Sequence, residues 1–183
     1  LHKISAIFAT AATNARCSHA VWTTGEGFNR VPNDNQPPSA WGEFPLESAI
    51  PFEEAYGLLP PRLRRQGIRV IISDLFWPGD PLPTLRKLTE DAAAVHVVQL
   101  LAQSDVEPPD PGNVELIDHE TGETLSLYID ASMQQQYRQT LKRLQQSWHD
   151  AARQTGAQLV TLVAEEIDSS LHRLEEINAL EPA

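Results

Sequence analysis

Apolar residues along the chain alternate between two periods, and the change of period marks the elements. Residues 3–14 are Ala-rich, with Ile4, Ile7, Phe8 and Ala11 at helical spacing. Residues 18–24 favour a strand through Val21, Trp22, Thr23 and Thr24. Residues 29–51 hold Pro32, Pro37, Pro38, Pro45 and Pro51 among Asn and Ser and predict a long loop. A helix is expected over 52–66, interrupted by Pro60 and Pro61 and closed by Gly67 in a left-handed cap. Ile68-Arg-Val-Ile-Ile-Ser-Asp-Leu75 is the strongest strand signal, apolar enough to predict burial on both faces. Asp80-Pro81 opens a helix running to about Ala93, followed by a second buried strand, Val95–Leu101.

Beyond Pro108, Pro109, Pro111 and Gly112, alternation at Leu125, Leu127 and Ile129 predicts an antiparallel hairpin over about 114–129. Ser132 with Gln135 resembles a capping box. Met133, Tyr137, Leu141, Leu144, Trp148 and Ala151 then place one apolar stripe on a long helix that Gly156 stops. Gln158–Val163 predicts another buried strand, and Asp168 is expected to cap a last helix through Leu171, Leu174 and Ile177. Strands separated by helical crossovers imply a doubly wound, mostly parallel α/β sheet with helices on both faces.

Composition narrows the functional classes. At 183 residues, with 41% hydrophobic and 21% charged positions, residues 1–183 fit one folded domain. No apolar run reaches the ~20 residues of a membrane helix. The formal charge of −11 argues against binding nucleic acid through phosphates. The charge is uneven: from Leu88 to Tyr137 there is no Lys or Arg, while Glu and Asp recur throughout. Such a stretch is either a solvated face or a surface for a basic partner. Cys17, the single cysteine, is expected to be a small buried residue, and the lack of any disulfide pair suits a reducing cytoplasm. Leu1 stands where a starting Met would be, which leaves an upstream membrane anchor an open question.

The segments Val70-Ile-Ile-Ser-Asp-Leu75, Asp118-His-Glu-Thr-Gly-Glu123, Leu127-Tyr-Ile-Asp130 and Glu165-Glu-Ile-Asp-Ser-Ser-Leu171 resemble those of the bacterial domain-of-unknown-function 58 family. That family is a branch of the von Willebrand factor type A fold, a doubly wound, Rossmann-like sheet. The resemblance implies a protein-binding module rather than an enzyme, with a MoxR-type AAA+ ATPase as the partner. It also implies a metal-ion-dependent adhesion site for Mg²⁺ or Mn²⁺ at the carboxyl ends of the strands. Asp74 matches the Asp that ends a central strand in that site, and Ser48 loosely matches a loop hydroxyl ligand. The Asp-x-Ser-x-Ser loop and the first central strand of that fold have no counterpart in these residues, so the cation site is expected to be incomplete.

Bland roles stand beside each candidate. Asp74 can satisfy backbone N–H groups of its own turn. His96, between two valines, reads as a core histidine. Asp118, His119 and Glu120 suit turn chemistry, with Asp118 and Glu120 also candidates for partner docking. The four tryptophans read as core, although Trp41 and Trp77 lie near Pro-containing loops and are further candidates for partner contact. No Gly-x-Ser-x-Gly elbow or Gly-rich phosphate loop is present. The expected function is a non-catalytic interaction module. A metal-independent structural domain of a larger protein is the alternative, and a hydrolase using Asp74 is a weaker one.

Overall fold

The computed structural model describes residues 1–25, 27–42, 50, 52–77, 79–117 and 124–180. Ser48, Asp118 and Glu120 lie outside these residues. The chain opens with α1 (His2–Asn14), a short antiparallel hairpin of β1 (Trp22–Gly25) and β2 (Gly27–Arg30), and α2 (Phe52–Leu58). β3 (Ile68–Ser73), α3 (Pro81–Thr89), β4 (Ala94–Leu101) and the single-turn α4 (Gln103–Val106) follow. A second hairpin joins β5 (Gly112–Ile117) to β6 (Thr124–Ile129). The chain then forms α5 (Ala131–Thr155), β7 (Gln158–Val163), α6 (Ile167–Ser170) and α7 (His172–Glu176). The fold is therefore mixed α/β: a parallel sheet in the order β3-β4-β7, with two separate antiparallel hairpins.

β4 is the middle strand, and its alternating side chains divide the core in two. Val95 and Val97 face a cluster built from Leu85 and Leu88 of α3, Trp148, Ala151 and Ala152 of α5, and Phe28 and Phe52. Val98 and Leu100 face Ile4 of α1, Val160 and Leu162 of β7, Ile167 of α6 and Leu174 of α7. Two-sided burial explains the near-continuous apolar run in this strand. β3 differs. Its residues are only half-buried and Ile68 is 69% exposed, because among the described residues only β4 pairs with it. Both faces of β3 meet a core cluster as expected, through Ile71 on one and Val70 and Ile72 on the other, but burial stays partial because no strand pairs with its second edge among the described residues.

Several local expectations need correction. The predicted long loop from residue 29 begins inside β2, since Gly25 and Gly27 permit an immediate return of the chain. Gly27 has φ +119°, and a Cβ there would lie 2.6 Å from the Leu59 Cβ, so the position admits only glycine. α2 ends at Leu58, before Pro60 and Pro61, and Gln66 rather than Gly67 takes the left-handed conformation. α3 keeps its Asp80 cap and Pro81 start but stops at Thr89. Asp130, not Ser132, caps α5: its Oδ1 accepts from the Met133 N–H at 2.7 Å, which puts Ser132 inside the first turn. Gly156 ends α5 in a left-handed cap as expected. Asp168 lies within α6 and pairs with Lys3 of α1 at 2.5 Å instead of capping a helix. Cys17 is exposed, because α1 has ended and Arg16 turns the chain outward at φ +56°.

The segment after β2 is held by a buried carboxylate. Asp34 is 2% exposed and accepts from Arg30 Nε and Nη2, each at 2.9 Å, and from the Val21 N–H at 2.8 Å. Burial alone would push its pKa up. The hydrogen bonds from Arg30 and Val21, with the Arg30 charge, outweigh burial and hold it below the ordinary 3.8. Asp34→Ala is expected to cost about 2 kcal/mol, read as a lower urea midpoint. A depressed folded pKa stabilises above the ordinary value. The wild-type advantage over the variant is therefore expected to vanish as pH falls through the folded pKa, below 3.8.

His96 gives the opposite side of the pH profile. It is 4% exposed on β4, and burial lowers its pKa from 6.5 against the raising effect of a bond to the Ile177 backbone. The unfolded chain therefore binds a proton that the folded chain rejects, and stability falls as pH drops below 6.5. His96→Gln stays neutral and is expected to flatten that part of the urea-midpoint profile. A profile as steep as the wild-type one would contradict this.

Candidate functional site

The carboxyl end of the parallel sheet carries a polar row in an otherwise apolar layer. Ser73, Gln99 and Thr161 are register partners across β3, β4 and β7. Gln99 is 1% exposed, and its amide is used in both senses. Nε2 donates to the Asp74 carbonyl at 2.9 Å. Oε1 accepts from Thr161 Oγ1 at 2.8 Å and from Gln145 Nε2 of α5 at 3.4 Å. One side chain thus ties the turn after β3 to β7 and to α5.

That turn is tightly specified. Ser73 Oγ accepts from the Leu75 N–H at 3.1 Å and donates to Asp74 Oδ1 at 3.3 Å. Asp74 Oδ1 also accepts from the Phe76 N–H at 3.2 Å, so the turn role of Asp74 is realised. Leu75 is fully buried yet adopts φ +63°, a left-handed conformation that a bulky residue keeps only when its surroundings impose it. Burying Leu75 inward leaves Asp74 and Phe76 directed outward, Phe76 being 42% exposed. The result is a braced, solvent-facing carboxylate beside an aromatic ring.

The other sequence candidates are not gathered here. Trp41 is 7% exposed beneath α1, packed with Ala9 and Val31, and its indole N–H donates to the Gln36 carbonyl at 3.2 Å. Trp77 is half-buried, stacked on Phe52 at 4.9 Å and edge-on to Trp148 at 5.2 Å. Both rings serve packing in this structure. Trp77 also follows Phe76, so its stack anchors the far end of the Asp74 turn. Ser48 lies outside the described residues, as do Asp118 and Glu120. Sequence reasoning missed Gln99, which sits unannounced between Val98 and Leu100. A polar residue inside a two-sided apolar strand was the available signal.

The donor set bears on the expected cation. Asp74 and Ser73 offer a carboxylate and a hydroxyl, both already engaged in the turn. Among the described residues no three His, Cys, Asp or Glu side chains gather into a group that could hold a metal ion. Among the described residues, the donors at this end of the sheet do not by themselves make up the near-octahedral oxygen shell of Mg²⁺ or Mn²⁺.

The α4–α5 junction supports the same end. Asp105 Oδ2 accepts from the Ala102 N–H at 2.8 Å, and Glu165 accepts from the Gln103 N–H at 2.9 Å. Tyr137 of α5 donates to the Asp105 carbonyl at 2.7 Å. Its phenol is pushed above the ordinary value by burial and then by the Asp105 charge.

Together these features define a mixed α/β domain whose polar chemistry converges on the carboxyl end of a parallel sheet. The family model described as "Protein of unknown function DUF58" matches residues 42–158, and the chain belongs to that family. The uncharacterized protein MAV169 of Mycobacterium avium is 36% identical over 102 residues, 54% of this chain and 58% of that protein. The match therefore spans less than two thirds of that relative. The crystal structure of the conserved hypothetical protein BatB from Bacteroides thetaiotaomicron is similar over 97% of this chain and 85% of its own, with 13% identity and a TM-score of 0.45.

Gln99→Leu tests the brace. It leaves the Thr161 hydroxyl and the Asp74 carbonyl without their partner and is expected to cost about 2 kcal/mol. The loss is read as a lower urea midpoint. A change within about 0.5 kcal/mol would show that the row carries no strain-holding role.

Proposed function

We propose that the chain is a non-catalytic protein-interaction module of the von Willebrand A type, which binds its partner with the carboxyl end of the parallel sheet. The observation that carries this reading is the outward Asp74–Phe76 turn, held rigid from beneath by Gln99 and by buried Leu75. A fixed carboxylate beside an exposed aromatic ring is suited to recognition, since little conformational entropy is lost when it binds. The groups bonded to the Asp74 carboxylate are the Ser73 hydroxyl and the Phe76 N–H, which supports a binding role over acid–base chemistry. The second edge of β3, unpaired among the described residues, is consistent with the von Willebrand A reading, in which a further strand pairs there.

The partner class follows from the family resemblance: a MoxR-type AAA+ ATPase. Because the donors do not make up a cation shell, recognition in this proposal runs directly through the carboxylate and the ring. Binding of the chain to the MoxR-type ATPase of the same genome is to be measured by biolayer interferometry. Asp74→Ala and Phe76→Ala are each expected to weaken it roughly tenfold, about 1.4 kcal/mol. No detectable binding by the wild type, or equal binding by both variants, would overturn the reading. Mg²⁺ and Mn²⁺ are expected to leave the thermal midpoint of the chain unchanged. A rise that Asp74→Ala abolishes would restore the cation to this turn.

A further inference from the structure

The β5–β6 hairpin leaves the body at the same end of the sheet and shows a surface unlike the rest. Val114 pairs with Leu127 and Leu116 with Leu125, so one face of the ribbon is wholly apolar. Leu116 is 46% and Leu125 61% exposed, and on the other face Ile117 is 58% and Tyr128 63% exposed. Among the described residues no other element packs extensively on either strand. The base is fixed by buried Ile129 and by Gln134 Nε2 of α5, which donates to the Pro109 carbonyl at 2.7 Å. An isolated two-stranded ribbon with a bare apolar face is marginal in water unless something covers it.

Charge indicates what covers it. No Lys or Arg occurs from Leu88 to Tyr137. Glu115 lies on the ribbon, Glu107 and Asp110 precede it and Asp130 follows it, while the joining segment adds Asp118, Glu120 and Glu123 by sequence. An apolar ridge in an acidic field disfavours anionic lipid, nucleic acid and a second copy of the same hairpin, all of which bring negative charge. It suits an amphipathic segment with apolar residues on one side and Lys or Arg on the other.

We propose that the β5–β6 ribbon is a docking surface for a basic amphipathic segment of a partner protein, seated across Leu116 and Leu125. This deepens the interaction reading above and rests on it, but names a different surface and a partner chemistry.

The test uses a labelled amphipathic Leu/Lys helix and its Leu/Glu counterpart with the purified chain. The wild type is expected to bind the Leu/Lys helix and not the Leu/Glu one. Leu116→Ser with Leu125→Ser is expected to weaken binding at least roughly tenfold, while both exposed positions leave the thermal midpoint in place. Tyr128→Ser is the control for folding should the double variant lose its midpoint. It leaves the Leu116–Leu125 face intact and is expected to keep most of the binding. Asp110→Asn with Glu115→Gln is expected to lower affinity and reduce its salt dependence. Equal binding by the Leu116/Leu125 variant would reduce the effect to bulk acidity and overturn the proposal. A wild-type dimer dissolved by the same variant would overturn it in favour of a second copy. The two readings fail separately. Loss of ATPase binding with retained Leu/Lys binding removes the Asp74 partner and leaves the ribbon, and the reverse result removes the ribbon alone.

Discussion

The burial of β4 on both faces is the constraint on which the rest of the molecule depends. A strand with helices above and below has no solvent for its side chains, so every position must be apolar or fully bonded. β4 meets this with valines and leucines on both faces and with Gln99 as a polar exception, while at His96, a second one, the Nδ1 atom is buried without a hydrogen-bond partner among the described residues. At His96 the exception costs stability on acidification. At Gln99 it becomes a fastening, because the amide has both a donor and an acceptor and β3, β7 and α5 supply partners for both. The same side chain that keeps the core satisfied also fixes the backbone from which Asp74 projects.

The carboxyl end therefore has two parts of opposite mechanical character. The Asp74 turn is short and over-determined, with two side-chain-to-backbone bonds, a buried left-handed Leu75 and the Trp77 stack on either side of the exposed groups. Among the described residues the β5–β6 ribbon is anchored at one end, and no other element packs extensively on its strands. A rigid contact supplies specificity with little entropic loss, whereas a loosely held apolar ribbon adapts to its partner and supplies buried area. In the proposed interaction role, the two kinds of contact at one end of one sheet would divide the work between selectivity and reach over a partner surface.

Much of the architecture was legible because period and punctuation are local. The Asp80-Pro81 helix start, the Gly156 stop, the β5–β6 hairpin and the three parallel strands follow from spacing, and the structure contains them. The errors came from competition that spacing does not reveal. Ser132 was a plausible cap until Asp130, one residue before the helix, took the same role. Cys17 was read by residue type, and a single positive-φ residue beside it sent it outward. At the site, Asp74 was visible as an Asp ending an apolar run. Gln99 was not, since its meaning lies in a register that joins residues 25 and 62 positions apart. Trp41 and Trp77 were read as core with partner contact as a further candidate role, and their packing against α1, Phe52 and Trp148 realises the core reading.

In the proposed interaction role, the half-buried state of β3 would link stability to recognition. Val70 and Ile72 turn toward one core cluster and Ile71 toward the other, yet all three stay partly exposed because among the described residues only β4 flanks them. An apolar, β-branched edge whose backbone groups lack a strand partner among the described residues is the kind of edge that natural proteins cover, twist away or charge. Arg69 does not guard it, since its guanidinium is drawn back to the Leu88 carbonyl at 2.6 Å. A strand added along β3 would bury the remaining apolar surface and pair its backbone. Because β3 leads directly into Ser73 and Asp74, the same addition would stiffen the exposed turn. Occupancy of the β3 edge and affinity at the Asp74 turn are then linked quantities, and whatever stabilises one strengthens the other.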